Sequence, residues 1–183
     1  MKISPTGAWL CETDEPHGFD EPLAAAIFSQ VRDWGCGNIK DFGCGSGKYV
    51  EYFNNHGFWS VGYDGNPNTP KFSPHCSVLD LSEPFDVGEC EVVMSLEVGE
   101  HIPPKFEDTF LDNLAKHTGK YLIISWFPRP GEGIGHVNER SNAYIQSRMM
   151  DREFQYLPEV VGRLREAATL WWFKESLLAF RKI

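Results

Sequence analysis

Residues 41–47 read Asp41-Phe42-Gly43-Cys44-Gly45-Ser46-Gly47. Just ahead, Ile39 to Phe42 predicts a short buried strand. Just behind, Lys48 to His56 has helical character and is stopped by Gly57. Glycines at a strand-to-helix turn permit positive φ and let a ligand approach the backbone closely. The helix N-terminus that follows adds unpaired N–H groups and the positive end of a dipole. A glycine triplet alone is a weak signal; the strand before it and the helix after it give it weight.

The rest of the chain continues this alternation. Asp20 predicts a helix cap with Pro22 in the first turn, and Leu23, Ala24, Ile27, Phe28, Val31 and Trp34 follow at helical spacing up to Gly35. Further strands are expected at Trp59–Tyr63, Cys76–Leu79, Glu91–Leu96, Tyr121–Phe127, Phe154–Tyr156 and Leu177–Phe180. Helices are expected from Pro103 to Gly119, from Ser141 to Met150 and around Val160–Ala168, with a Gly- and Pro-rich loop over 128–140. Strands alternating with helices predict a parallel α/β sheet covered on both faces. The ending, a helix followed directly by a strand, suits a last strand that inserts antiparallel, giving a seven-stranded mixed sheet. Residues 1–18 read as an irregular leader and 19–183 as one domain.

Acids recur at the ends of the predicted strands. Asp41 is followed by Asp64, then Asp80 in Val78-Leu79-Asp80-Leu81, then Glu97 in Val93-Met94-Ser95-Leu96-Glu97. In an open parallel sheet ligands bind at the carboxyl ends of the strands. Four acids along that edge suit a ligand with positive charge and many donors, and do not suit a pyrophosphate. A carboxylate placed like Asp64 can accept two hydrogen bonds from a ribose diol.

The run from Asp41 to Glu97 resembles the S-adenosylmethionine site of class I, Rossmann-like methyltransferases. Asp41-x-Gly43-x-Gly45-x-Gly47 matches the family's acid and three alternating glycines. The resemblance implies Asp64 as the ribose acid and Asp80 as the adenine-contacting acid, with Leu81 beside it. It extends the cofactor set to Cys44, Gly65 and Glu97. Ser95-Leu96-Glu97-Val98-Gly99-Glu100-His101 resembles the E-x-x-E-H segment of methyltransferases acting on small molecules. A nicotinamide site requires G-x-G-x-x-G, but Lys48 stands at the third position; a P-loop requires Ser or Thr after Gly47-Lys48, but Tyr49 stands there.

The methyl acceptor is expected past the ends of the fourth and fifth strands. Two segments reach that region: Glu97–His101, and the loop from Trp126 through Arg129 and His136 to Asn138. If the acceptor is a hydroxyl, a base helps to remove its proton. The candidates are His136 first, then His101 and Glu100. Trp126, Arg129 and Asn138 are the candidate substrate contacts, and Trp9 and His17 of the leader are candidates to close over the cofactor. Trp171-Trp172-Phe173 reads as packing rather than as a substrate platform. No metal is expected: Ser125-Trp126-Phe127 lacks paired acids for a hard cation, and no H-x-x-x-H or Cys/His cluster proposes zinc.

Composition agrees. The 183 residues are 42% hydrophobic and 23% charged, a globular balance. A net charge of −9 disfavours nucleic acid as partner, and the Asn/Asp-Pro-Pro-Tyr/Phe amino-methylation motif is absent from the fourth strand. Five cysteines without C-x-x-C predict free thiols. No apolar run approaches the ~20 residues of a membrane span, and residues 1–7 have no signal core, so a cytoplasmic protein is expected. The sequence thus predicts a methyltransferase using S-adenosylmethionine on an O or N atom of a small molecule or glycan. A non-catalytic binding or scaffold module of the same fold, and a protein methyltransferase, are the alternatives.

Overall fold

In the computed structural model, which describes residues 2–14 and 17–183, the chain opens with a small hairpin. Strand β1 (Lys2–Ile3) pairs antiparallel with β2 (Trp9–Leu10). The leader is therefore not wholly irregular. Ser4-Pro5-Thr6-Gly7 forms the turn: Ser4 Oγ accepts from Ala8 N at 2.9 Å, and Gly7 takes φ +97°. Strands of two residues are too short for an alternating pattern to reveal.

Helix α1 (Glu21–Asp33) starts where the cap predicts, with Asp20 Oδ1 accepting from Leu23 N at 3.1 Å. Asp20 has a second use that local sequence does not show. Its Oδ2 accepts from Thr169 N and Leu170 N, both at 2.7 Å, which ties the start of α1 to the turn between the two C-terminal helices. The residue is 1% exposed, so removing the carboxylate strands several buried donors. Asp20→Ala is expected to cost ~3 kcal/mol of folding stability, a lost cap plus unsatisfied N–H groups. Denaturant unfolding of the two proteins checks this; a loss typical of an exposed cap alone would show that the Thr169–Leu170 latch carries nothing.

The main sheet contains β3 (Asn38–Phe42), β4 (Trp59–Asp64), β5 (Cys76–Val78), β6 (Cys90–Leu96), β7 (Thr118–Ser125), β8 (Phe154–Tyr156) and β9 (Leu177–Lys182). Their spatial order is β5-β4-β3-β6-β7-β9-β8. β3 pairs parallel with β4 and β6, and β6 with β7. β9 inserts antiparallel between β7 and β8, as its position at the end of the chain suggests.

Both sheet faces are buried, which is why the strands read as continuous apolar runs. On one face Ile39, Val92, Met94 and Ile123 pack under α1, α2 (Lys48–Asn55) and α6 (Pro158–Ala167). On the other, Phe42, Val93, Leu122 and Ile124 pack under α4 (Glu107–His117) and α5 (Asn142–Met150). The period of two sends Val92 and Val93 to opposite sides. Two short helices, α3 (Thr69–Phe72) and α7 (Trp171–Ser176), complete the chain.

The fifth strand of the sequence reading is displaced. α4 yields directly to β7 at Thr118, whose Oγ1 donates to Leu114 O at 2.7 Å and ends the helix without help from Gly119. β7 ends at Ser125, so Trp126 and Phe127 lie beyond the ladder. The sheet order reverses direction at β3, between β4 and β6. The crevice for a ligand lies at the carboxyl ends of these strands.

Candidate active site

The loop from β3 to α2 is built on glycine conformations. Gly43, Gly45 and Gly47 have φ of +89°, +56° and +79°, a region that side-chain-bearing residues rarely occupy. Gly43 N and Cys44 N both donate to Tyr63 O, at 2.7 and 3.2 Å, which seats the loop on the end of β4. Asp64 braces it further: Oδ2 accepts from Gly45 N and Oδ1 from Asn66 N, each at 2.8 Å. A Cβ on Gly43 would run into the Val98 side chain, and one on Gly45 would lie 2.5 Å from His17 Nδ1.

A cavity of about 410 Å3 opens above this loop, within the size range of small-molecule sites. All four strand-end acids line it: Asp41, Asp64, Asp80 and Glu97. Gly43, Cys44, Gly45, Gly65 and Leu81 line it too. Gly47, also expected there, does not. It serves packing, since a Cβ on it would lie 2.7 Å from Cys76 Sγ and 2.8 Å from Ser73 Cβ.

The electrostatics are those of an acid-lined, half-dry pocket. Burial pushes the Asp41 carboxyl well above the ordinary carboxylate range, reinforced by Cys76 and Asp64. Asp64 is raised by burial, against the pull of its bonds from Asn66 and Gly45. Glu97 is raised by burial, although Ser176 Oγ donates to its Oε1 at 2.7 Å. Each of these groups would be relieved by a cation in the cavity.

The leader forms part of the roof. Thr6, Gly7, Ala8, Trp9 and His17 line the cavity. Asn66 Nδ2 and Asn68 Nδ2 hold the leader down by donating to Cys11 O at 3.0 and 2.9 Å. Trp171, Trp172 and Phe173 of α7 line another wall, so the segment read as packing also faces the ligand space. Tyr49 on α2 joins them. Trp9 and His17 stand where the sequence expects them, over the cavity; Thr6, Gly7, Ala8 and the α7 aromatics come here through long-range docking of the leader and α7.

The structure sends the three expected substrate contacts elsewhere. Trp126 is fully buried and covers Gly99, where a Cβ would overlap its ring; its Nε1 donates to Asn138 O at 2.6 Å. Asn138 is also buried, and its Nδ2 donates to Glu107 Oε2 at 3.0 Å. Arg129 turns outward, donating to both Glu175 oxygens with its guanidinium over the Trp171 ring. None of the three lines the cavity. Trp126 and Asn138 instead pin the loop that follows β7, and that loop presents Phe127, Glu132, Gly133 and His136 to the cavity.

The three expected catalytic groups do come together. Glu100, His101 and His136 all line the cavity, and their donor atoms lie within 4.8 Å of one another. Val137 N and Asn138 N donate to Glu100 O at 2.8 and 3.0 Å, joining the loop after β7 to the turn after β6. The His101 and His136 rings meet edge to face with centroids 4.8 Å apart. Trp9 Nε1 lies 3.2 Å from His101 Nδ1, so the leader touches this end as well. Burial lowers both imidazoles, His101 to about 4, with His136 adding to the effect on His101.

No protein-family model matches this sequence, and no curated protein matches it. Solved structures do match. The magnesium protoporphyrin IX methyltransferase of Synechocystis PCC 6803 with bound S-adenosylhomocysteine superposes with a TM-score of 0.68 at 16% identity, over 87% of this chain and 82% of that one. An amino pentose methyltransferase from Micromonospora echinaspora, with S-adenosylmethionine bound, gives 0.69 at 11% identity, over 93% and 94%. The N-methyltransferase NodS of Bradyrhizobium japonicum gives 0.62 at 15%, over 88% and 86%. The chain has the α/β, Rossmann-like fold of class I S-adenosylmethionine-dependent methyltransferases.

Proposed function

We propose that this chain is an enzyme that moves the methyl group of S-adenosylmethionine to an O or N atom of a small molecule or sugar. The observation that carries the reading is a single cavity with two chemically distinct ends. One end has the left-handed glycines and the strand-end acids; the other has Glu100, His101 and His136. S-adenosylmethionine brings a methyl group already activated on a sulfonium sulfur, so the protein supplies position and electrostatics.

The residues fit that cofactor. Gly43 and Gly45 leave the loop without side chains where the ligand approaches. Asp64 is fixed by two backbone donors and keeps lone pairs for a ribose diol. Asp41 and Glu97 supply negative charge toward the cationic end, and Asp80 and Leu81 flank the adenine side. Trp9, Phe127, Trp171 and Trp172 exclude water. Glu100, His101 and His136 are placed to activate the acceptor. The buried free thiols, and the lack of any helix long and apolar enough to cross a membrane among the described residues, support a cytoplasmic assignment.

Two expected results follow from the cofactor end. Asp64→Ala should weaken S-adenosylmethionine binding ~10- to 150-fold, the worth of a hydrogen bond of ~1.5–3 kcal/mol to a charged acceptor. Calorimetry on the folded variant reads it, and unchanged affinity would remove Asp64 from the ribose. Binding should also release protons. Burial holds the Asp41 and Asp64 carboxyls above their ordinary range, so between the ordinary and raised values they are partly protonated when the cavity is empty. A cation lowers both pKa values, so affinity should rise with pH across that window. Calorimetry in buffers of different ionisation enthalpy counts the protons; uptake instead of release would contradict the charge argument.

The reaction itself is tested by incubating the protein with S-adenosylmethionine and metabolite or glycan pools. Mass spectrometry should find S-adenosylhomocysteine together with an acceptor heavier by one methyl group. Cofactor binding without turnover against any pool would favour a binding module.

A further inference from the structure

The cluster of Glu100, His101 and His136 has more built into it than a lone catalytic base needs. Glu100 is 0% exposed, and its carboxyl oxygens make no close hydrogen bond among the described residues, although the Glu97 carboxyl and the Phe127 backbone lie beside them. His136 Nδ1 is likewise buried without a partner. His101 Nδ1 accepts from Trp9 Nε1 at 3.2 Å, and Gly135 O also lies 3.2 Å from it. Metal binding through Nε2 would turn the Nδ1 proton to Gly135 O, the usual support of a metal-binding histidine, and the Trp9 indole would then give up its bond to Nδ1. Two buried carboxyls side by side, Glu100 and Glu97, are relieved by a cation between them and the cavity, and the two neutral imidazoles beside Glu100 offer lone pairs rather than charge.

We propose that Glu100, His101 and His136 bind one divalent transition-metal ion, with its open positions facing the cavity where the methyl acceptor lies. This rests on the methyl-transfer reading for the identity of the acceptor, though not for the ion. Two imidazoles and one carboxylate form a donor set for zinc, iron(II) or manganese(II); magnesium and calcium take oxygen ligands. Metal–ligand distances of ~2.0–2.2 Å require the three donors to draw inward from their present spread. The His136 loop allows this: Gly131, Gly133 and Gly135 flank the histidine with φ of +77°, +94° and +77°. Gly133 also has to lack a side chain, because a Cβ there would fall on the His136 ring. An ion held this way would take the acceptor through an oxygen or nitrogen donor atom. The sequence proposes no metal, since Ser125-Trp126-Phe127 has no paired acids and no H-x-x-x-H or Cys/His cluster occurs; Glu100-His101 and His136 stand in separate loops that only the fold brings together.

The test uses the full chain, freed of metal with a chelator and then titrated with manganese(II) or zinc(II). Calorimetry gives stoichiometry and affinity, and paramagnetic resonance follows manganese directly. S-adenosylmethionine binding is measured in parallel on the same samples. The expected result is one ion per chain, with zinc tighter than manganese and no comparable binding of magnesium. His136→Ala and Glu100→Gln should each weaken the ion more than ~10-fold. If Glu100→Gln fails to fold, His136→Ala on the outer loop still decides. Ion binding that neither variant disturbs would place the ion elsewhere and overturn the proposal. Absence of ion binding by protein that still binds S-adenosylmethionine would overturn it too, leaving the methyl-transfer reading intact. Ion binding at these residues without cofactor binding would keep the metal site and sink the methyl-transfer reading instead.

Discussion

His136→Ala is expected to lower methyl-transfer turnover ~10²–10⁴-fold, the range for a group that activates the acceptor in the transition state. Cofactor affinity should barely change, because the histidine stands at the end of the cavity away from the glycine loop. The structure also makes the substitution readable. His136 sits on a loop held by Trp126 Nε1 to Asn138 O and by Val137 and Asn138 N–H groups to Glu100 O, none of which uses the imidazole. The loop should keep its place when the ring is removed. Glu97→Ala is the control, since Glu97 lies between the two ends and should weaken cofactor binding more than His136→Ala does. Steady-state turnover together with equilibrium binding of S-adenosylmethionine separates the two. Near-normal turnover in the His136 variant would move activation to His101, or to alignment alone, which suffices for an amine that arrives deprotonated.

The second large effect is at Gly45. Valine there should reduce S-adenosylmethionine affinity by at least ~100-fold, or ~2.7 kcal/mol. Two costs combine. The backbone at φ +56° disfavours a β-branched residue, and the new side chain enters the space between the loop and the His17 ring. Gly45 N also donates to Asp64 Oδ2, so a shift of the loop moves the carboxylate proposed to hold the ribose. The sheet beneath does not depend on this position, and circular dichroism should stay close to that of the wild type. Calorimetry that finds normal affinity in a folded Gly45→Val protein would mean that the loop does not carry the cofactor.

Much of the fold was legible because its signals are local. A strand buried on both faces is a short apolar run, and β3 to β6 each end at or just before an acid or a glycine that marks the sheet edge. Asp20 announced α1, and the Asp41–Gly47 turn announced the switch from β3 to α2. Even the antiparallel last strand followed from a chain that ends helix then strand. The cofactor end was legible for the same reason, since Asp41, Asp64, Asp80 and Glu97 are each tied to a strand end.

What stayed hidden depends on contacts distant in sequence. Asp20 bonding to Thr169 and Leu170 cannot be read from either segment. The leader docks through Cys11 O to Asn66 and Asn68, a backbone acceptor with no side-chain signature. Trp126, Arg129 and Asn138 stand in the loop where the sequence places substrate contacts. Burial of Trp126 on Gly99 and of Asn138 against Glu107, and the pairing of Arg129 with Glu175, give them structural work instead. The closeness of Glu100, His101 and His136 is half visible in the sequence: each residue suits the chemistry, but their meeting around one point depends on how the loop after β7 folds back.

The cavity's assignment is checked by calorimetric titration of the purified chain with S-adenosylmethionine. Saturable binding of one molecule per chain is predicted, weakened by Asp64→Ala and lost in Gly45→Val while both variants stay folded. No binding by the wild type, or binding indifferent to both substitutions, would contradict the assignment of this cavity to the cofactor.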